Sequence, residues 1–225
     1  MKFKKHITFL LFAVFLLTGC SIVSPEIKPK ERFDFDFVMQ GGANEALSKI
    51  VMQSRLKKSN EISNLMSRYL NKRDGRDCSG FVSLINKKSE NIYFKERNLD
   101  KFYTKRGLKS EAIFNLYQSQ NLIIQNEPKV GDLIFFNNTT DKTKNYKKTK
   151  VITHIGIVDK IYEDGTIRFT HHSGKKSKHG FMNFSEKNKH KSKDKVLNSY
   201  IVNCKKKTSS CLASNRFAGF GSVKF

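Results

Sequence analysis

Asp77-Cys78-Ser79-Gly80-Phe81-Val82 and, further along, Thr153-His154-Ile155-Gly156-Ile157-Val158 decide how this chain is read. In the first stretch a cysteine follows a turn, Lys72-Arg73-Asp74-Gly75, and opens an apolar run to Ile85 with helical spacing. Its sulfur is therefore expected at a helix N-terminus, where the dipole and unpaired N–H groups favour a thiolate and offer donors to an oxyanion. The second stretch reads as a strand, which would hold an imidazole rigidly as a base able to take and return the thiol proton. Thr166 to His172 alternates as the next strand, with Ile167, Phe169 and His171 sharing one face. That face brings His171 toward the first imidazole, where a hydrogen bond would fix its tautomer. His172 points to the opposite face.

Outward from these stretches, the pattern is helical first and strand-like second, which means an α+β fold. Asn44 to about Leu70 carries Leu47, Ile50, Val51, Ile62, Leu65, Met66 and Tyr69 at helical steps, with Asn44 as N-cap and a division into two helices at Lys57-Lys58-Ser59-Asn60. Ser110 is expected to cap a helix running to Leu122. Leu133-Ile134-Phe135-Phe136 is a short buried strand, Val151 to Ile161 another, and Glu163-Asp164-Gly165 a hairpin signal. A strict two-residue turn at Asp164-Gly165 would leave His154 four residues, ~13 Å, from the position opposite His171. A longer or bulged turn, centred nearer Tyr162-Glu163, is therefore expected. Asn137–Lys150 and Ser173–Lys195 read as basic loops, and Val196–Val202 and Phe217–Val223 as terminal strands.

The 225 residues, 38% hydrophobic with 19 Phe, suffice for one folded domain with appendages. Beyond the N-terminus there is no long apolar run, which excludes a multi-span membrane protein. Four Cys are too few to build the fold from disulfides. Lys and Arg number 43 against 20 acids, a net charge of +23. Such an excess suits nucleic acid, anionic lipid or acidic cell-wall polymer, and also a lysine-rich genome. The N-terminus narrows the choice. A basic start, an apolar run from Ile7 to Leu17 and then Leu17-Thr18-Gly19-Cys20-Ser21 have the shape of a secretory signal. The close of that run resembles a bacterial lipobox, which implies lipidation of Cys20. Residues 1–19 then form the signal peptide, 20–43 the lipidated Cys and tether, and 44–225 the folded domain. Losing 1–19 removes three Lys and no acid, taking the net charge down to +20. An envelope protein held by acyl chains meets no chromosomal DNA, so nucleic acid drops out as a partner. Ser21 after the Cys favours the outer membrane, by resemblance to known sorting. Cys204 and Cys211 flank a lysine loop, and an oxidising envelope allows a disulfide between them.

Four blocks, Asp77 to Val82, Gly131-Asp132-Leu133-Ile134-Phe135-Phe136, Thr153 to Val158 and Phe169-Thr170-His171, occur in the order found in the NlpC-type cell-wall cysteine peptidases, and the chain resembles that family over about residues 65–175. The resemblance implies a papain-like domain, with N-terminal helices packed on an antiparallel sheet or partial barrel. It implies Cys78 as nucleophile, His154 as base and His171 as the orienting third member. Asp77 and Ser79 match positions that hold the substrate's free amine in some relatives, and Tyr69 falls where relatives carry an aromatic. The implied activity is hydrolysis of peptidoglycan stem peptides, commonly between D-glutamate and the diamino acid, with no cofactor. His171, His172 and His179 suggest a metal cluster only superficially, because the first two diverge and no acid stands near; no metal is expected. Two other readings remain: a non-catalytic lipoprotein that binds or scaffolds the wall, and an amidase or acyltransferase using the same Cys-His-His set.

Overall fold

The computed structural model describes residues 42–223; Cys20, the signal and nearly all of the tether lie outside them. Helix α1 spans Gly42–Tyr69, α2 Cys78–Lys88, α3 Lys109–Ser119 and α4 Ala213–Arg216. The strands are β1 (Ile123–Ile124), β2 (Leu133–Asn137), β3 (Ile152–Ile161), β4 (Ile167–Ser173), β5 (Lys176–Met182), β6 (Lys191–Ser192), β7 (Lys195–Val196) and β8 (Phe217–Gly221). Six of them form one antiparallel sheet in the order β1-β8-β2-β3-β4-β5, while β6 and β7 make a separate hairpin. The fold is the papain-like α+β arrangement of helices on an antiparallel sheet. The sheet stays open, with β1 and β5 at its edges, and does not close into a barrel.

Both faces of the sheet are covered, which is why Leu133 to Phe136 is an unbroken apolar run rather than an alternating one. Leu133, Phe135, Ile155 and Ile157 pack with Ile62 and Met66 of α1, Phe81, Val82 and Ile85 of α2, and Ile113 and Leu116 of α3. Ile134, Phe136, Val158, Phe169 and Phe220 build a second core on the other face, closed by Met182 and Ala213. Asp132 joins the two ends of the domain. Its buried carboxylate accepts the N–H of Lys129 at 2.7 Å and of Val223 at 3.0 Å.

Several expectations are corrected. The first helix is not divided at Lys57–Asn60: it runs unbroken, with Lys58 paired to Glu61 one turn on. Asn44 lies inside it rather than capping it. Only its second half packs, since Leu47, Ile50 and Leu56 are exposed while Ile62 and Met66 are buried. Ser110 is not an N-cap; its hydroxyl bonds the Ile152 carbonyl at 3.2 Å and ties α3 to β3. Ser173–Lys195 is not loop throughout: β5 lies within it and forms a sheet edge. Val196–Val202 gives no strand of that length: β7 ends at Val196, and Tyr200 makes a single bridge to Leu212.

Candidate active site

Two glycines shape the entry to α2. The backbone at Gly75 has φ +89°, and a Cβ there would meet the Phe81 backbone at 2.5 Å; a Cβ on Gly80 would meet the Gly75 carbonyl at 1.9 Å. With neither side chain present, the 73–77 loop crosses directly over the first turn of α2. Asp77 then caps the helix. Its Oδ1 accepts the Gly80 N–H at 2.7 Å and the Ser79 hydroxyl at 2.9 Å. Ser79 is thus a partner of the cap, and the second Asp77 oxygen is not used in it.

Cys78 is the first residue of α2 and the only free cysteine among the described residues. The backbone N–H groups of Ile155, Ser79 and Cys78 itself lie near enough to its sulfur to favour the thiolate. Strand pairing explains why Ile155 can contribute. Val158 exchanges hydrogen bonds with Gly131 and Asp132, both at 2.8 Å, so even-numbered residues of β3 bond toward β2 and odd-numbered ones toward β4. Pairing of β3 with β4 ends at Ile157↔Thr170, so the Ile155 N–H lies beyond the last pair of that ladder. Burial nevertheless dominates, pushing the thiol up to about 11 against those donors, with the Asp77 carboxylate adding to the rise.

His154 immediately precedes Ile155. Its Nε2 lies 2.6 Å from Nδ1 of His171, with the two rings nearly perpendicular. Phe136 packs beside the His154 ring and Phe169 beside that of His171. Burial is the main reason His154 falls to about 4; Lys178 and His172 lower it further, and Asp77 opposes them. His171 is only 2% exposed and is held well below its ordinary range by burial, with His154 the next cause.

The meeting of these two rings depends on a bulge. Ile161 pairs with Ile167 but Val158 with Phe169, so Asp159 is the extra residue. The turn is also longer than two residues, with Tyr162 N–H donating to the Thr166 carbonyl. One step beyond Ile157↔Thr170, Gly156 stands across from His171, and a Cβ there would lie 3.2 Å from His171 Cβ. His154 is then a diagonal neighbour of His171, within reach of two rings. Asp159 is held in turn: its buried carboxylate accepts from Arg168 Nε at 2.6 Å and His179 Nδ1 at 3.0 Å, and from the Thr170 hydroxyl.

Sequence reasoning missed this Asp159 cluster and also Lys178. Lys178 pairs with His171 across β4 and β5, on the same face, and places an exposed cation beside both histidines. Tyr69 is fixed through its backbone: the Ser177 hydroxyl donates to its carbonyl, and Asn71 and Lys72 also bond Ser177. That stitches the end of α1 to β5 one residue from Lys178. His172 faces away from His171 and is buried, and its Nε2 has no partner. Cys204 and Cys211 are bonded, S–S 2.02 Å, on the loop before α4. No cluster of three metal-ligating side chains occurs among the described residues.

A half-buried thiol at a helix start, N–H donors near it, and an imidazole oriented by a second ring can together perform acyl transfer. No curated protein and no solved structure matches the chain. The model of the NlpC/P60 family does match, over residues 66–199. The match spans more than half of the 225 residues and holds Cys78, His154 and His171 together with the helices and strands that carry them, and the chain belongs to the NlpC/P60 family of cell-wall cysteine peptidases.

Proposed function

We propose that the protein is a lipid-anchored endopeptidase of the bacterial envelope that cuts peptidoglycan stem peptides between D-glutamate and the diamino acid. The observation that carries this reading is the thiol at the start of α2, close to the backbone of Ile155, the residue that follows His154. The Cys78 sulfur attacks the amide carbonyl as His154 takes the thiol proton. The oxyanion that forms is received by N–H groups at the helix start. His154 then gives the proton to the leaving amine, and a thioester remains on Cys78. Water, deprotonated by His154, adds to the thioester and releases the carboxylate and the thiol. Lys178 stands where it can attract a substrate carboxylate, which fits a stem peptide. The open Asp77 oxygen fits a substrate amine.

The anchor at Cys20, on the outer membrane facing the periplasm, belongs to the same proposal and rests on the lipobox-like sequence; Cys20→Ala should release the chain from the membrane fraction, and its retention there would contradict the anchor. For the chemistry, purified wall sacculi are digested with wild type and with Cys78→Ala. Mass spectrometry should find fragments with a new amine on the diamino acid for the wild type, and none for the folded variant. Equal release by both would overturn the reading, and a new amine on another residue would overturn the assigned bond.

A further inference from the structure

Two loops outside the peptidase site meet at one end of the sheet: 138–151, between β2 and β3, and 203–216, ahead of β8. Lys144 Nζ donates to the Asn203 carbonyl at 3.1 Å. Arg216 bridges both loops, through Nη2 to the Lys144 carbonyl at 3.1 Å and through Nε to the Ser210 carbonyl at 2.7 Å. Between the loops lies an open cavity of about 600 Å³ whose lining includes Tyr146, Lys147, Asn215 and Arg216.

The charge here is one-sided. The first loop holds five Lys and a single acid, Asp141; the second holds Lys205, Lys206, Lys207 and Arg216 with no acid. Asp141 is already engaged by Lys144 at 2.5 Å. Arg216 is partly buried and bonds neutral carbonyls, and it makes no ion pair among the described residues. Burial lowers its pKa with no anion opposing the effect. A guanidinium drawn out of water in this way lacks a counter-charge. The Cys204–Cys211 bond closes the loop that carries Lys205–Lys207, which confines three more charges close to the cavity. Tyr146, 47% exposed, adds a flat aromatic face.

We propose that this cavity is an accessory binding site for an anionic polymer bearing repeated phosphate or carboxylate groups, with one anion on Arg216 and Lys147 and others along Lys205–Lys207. A concavity favours a chain that can push one anionic group inward over the flat headgroup array of a membrane. Phe217, next to Arg216, pairs with Phe136, and Phe136 with His154. Two strand spacings, roughly 10 Å, therefore separate the strand that Arg216 leads into from that of His154. A bound polymer would be held about two strands from His154. The site needs neither the thiol nor the imidazoles, so it stands or falls separately from the peptidase reading.

The test measures binding of the full chain to labelled polyglutamate, to labelled polyphosphate and to vesicles of anionic phospholipid, at constant salt. Arg216→Gln should weaken binding of at least one polymer tenfold or more, and the better-bound polymer identifies the anion. The pair Lys147→Gln and Lys206→Gln, both on the surface, should weaken it severalfold and decides the matter if the Arg216 variant does not fold. Cys78→Ala should bind as wild type. As a control, Lys175→Gln with Lys176→Gln removes equal charge from the far edge of the sheet and should have little effect. Equal weakening by the control pair would reduce the effect to net charge and overturn the site. Vesicle binding that falls with these variants while polymer binding does not would assign the surface to a membrane and overturn it too.

Discussion

His154 can serve a thiol only through a ring nitrogen that carries no proton. Its Nε2 is engaged with Nδ1 of His171, so the nitrogen left free to take a proton is Nδ1. Nδ1 is bare only when Nε2–H is the donor and His171 the acceptor. The same arrangement survives protonation of His154, provided that His171 stays neutral, and burial holds His171 well below its ordinary range. The thiol at about 11 and His154 at about 4 both rest uncharged near neutral pH. Seven pKa units correspond to ~10 kcal/mol. Even two opposite unit charges ~4 Å apart attract by only ~4 kcal/mol at an effective dielectric of 20. The proton is thus expected to leave sulfur during attack and not before it. His171→Asn, which keeps an acceptor oxygen, should retain most of the turnover. His171→Ala should lose ~10²-fold in kcat, about 2.7 kcal/mol, with KM little changed. Equal activity in the two variants, measured on a soluble stem peptide, would remove the tautomer role. Cys78 at a helix start and the meeting of His154 with His171 were legible in the sequence because each residue lies in a stretch with a defined local conformation. Lys178 was not, because its significance comes from a pairing between strands.

The bulge at Asp159 is what converts two separate strands into a site. Without the extra residue, the side chains opposite His171 would belong to a different part of β3. Asp159 is read in the sequence only as an acid within an apolar strand, since a bulge is a property of the pair of strands and not of one segment. β5 was missed for a related reason. Its buried residues are Ser177, Gly180 and Met182, so burial keeps no two-residue period and only Met182 gives an apolar signal. The division of α1 was misplaced because Lys58 pairs with Glu61 one turn on and the Ser59 hydroxyl bonds the Val130 carbonyl, so the cluster sits on a continuous helix backbone. Asp159→Ala removes the acceptor of Arg168 and His179, both partly exposed, and should cost about 2 kcal/mol. It should also loosen the bulge, so that turnover falls more than tenfold at temperatures where the variant remains folded, and the His171 ring resonances shift. A stability loss with unchanged turnover and unshifted resonances would make the cluster purely structural.

Across the whole molecule, an open sheet with a core on each face holds a buried His171 and a half-buried His154 between packed elements. That has a consequence for pH. In the unfolded chain His154 titrates near 6.5, but in the fold at about 4, so the unfolded state binds more protons between those values. The associated stability is fully present above pH 6.5 and is lost as pH falls toward 4, up to about 3 kcal/mol for this ring. His171, shifted in the same direction, adds to the loss. Asp159, held below its ordinary value by His179, Arg168 and Thr170 despite its burial, contributes only below pH 4. Urea unfolding should therefore show a fall in stability between pH 6.5 and 4.5 that is smaller in His154→Gln; an identical fall in both proteins would exclude the ring as its source. The α+β class and the helix-to-sheet order followed from local periodicity, whereas the open shape of the sheet depends on long-range pairing that no segment reveals. The central claim, that Cys78 attacks with His154 as its base, is tested most directly by acid-quenching the enzyme within its first turnover on a stem peptide and weighing the intact chain. The account predicts a thioester adduct on the peptide containing Cys78 in wild type and none in His154→Ala. Cleavage without any adduct, persisting in Cys78→Ala, would contradict it.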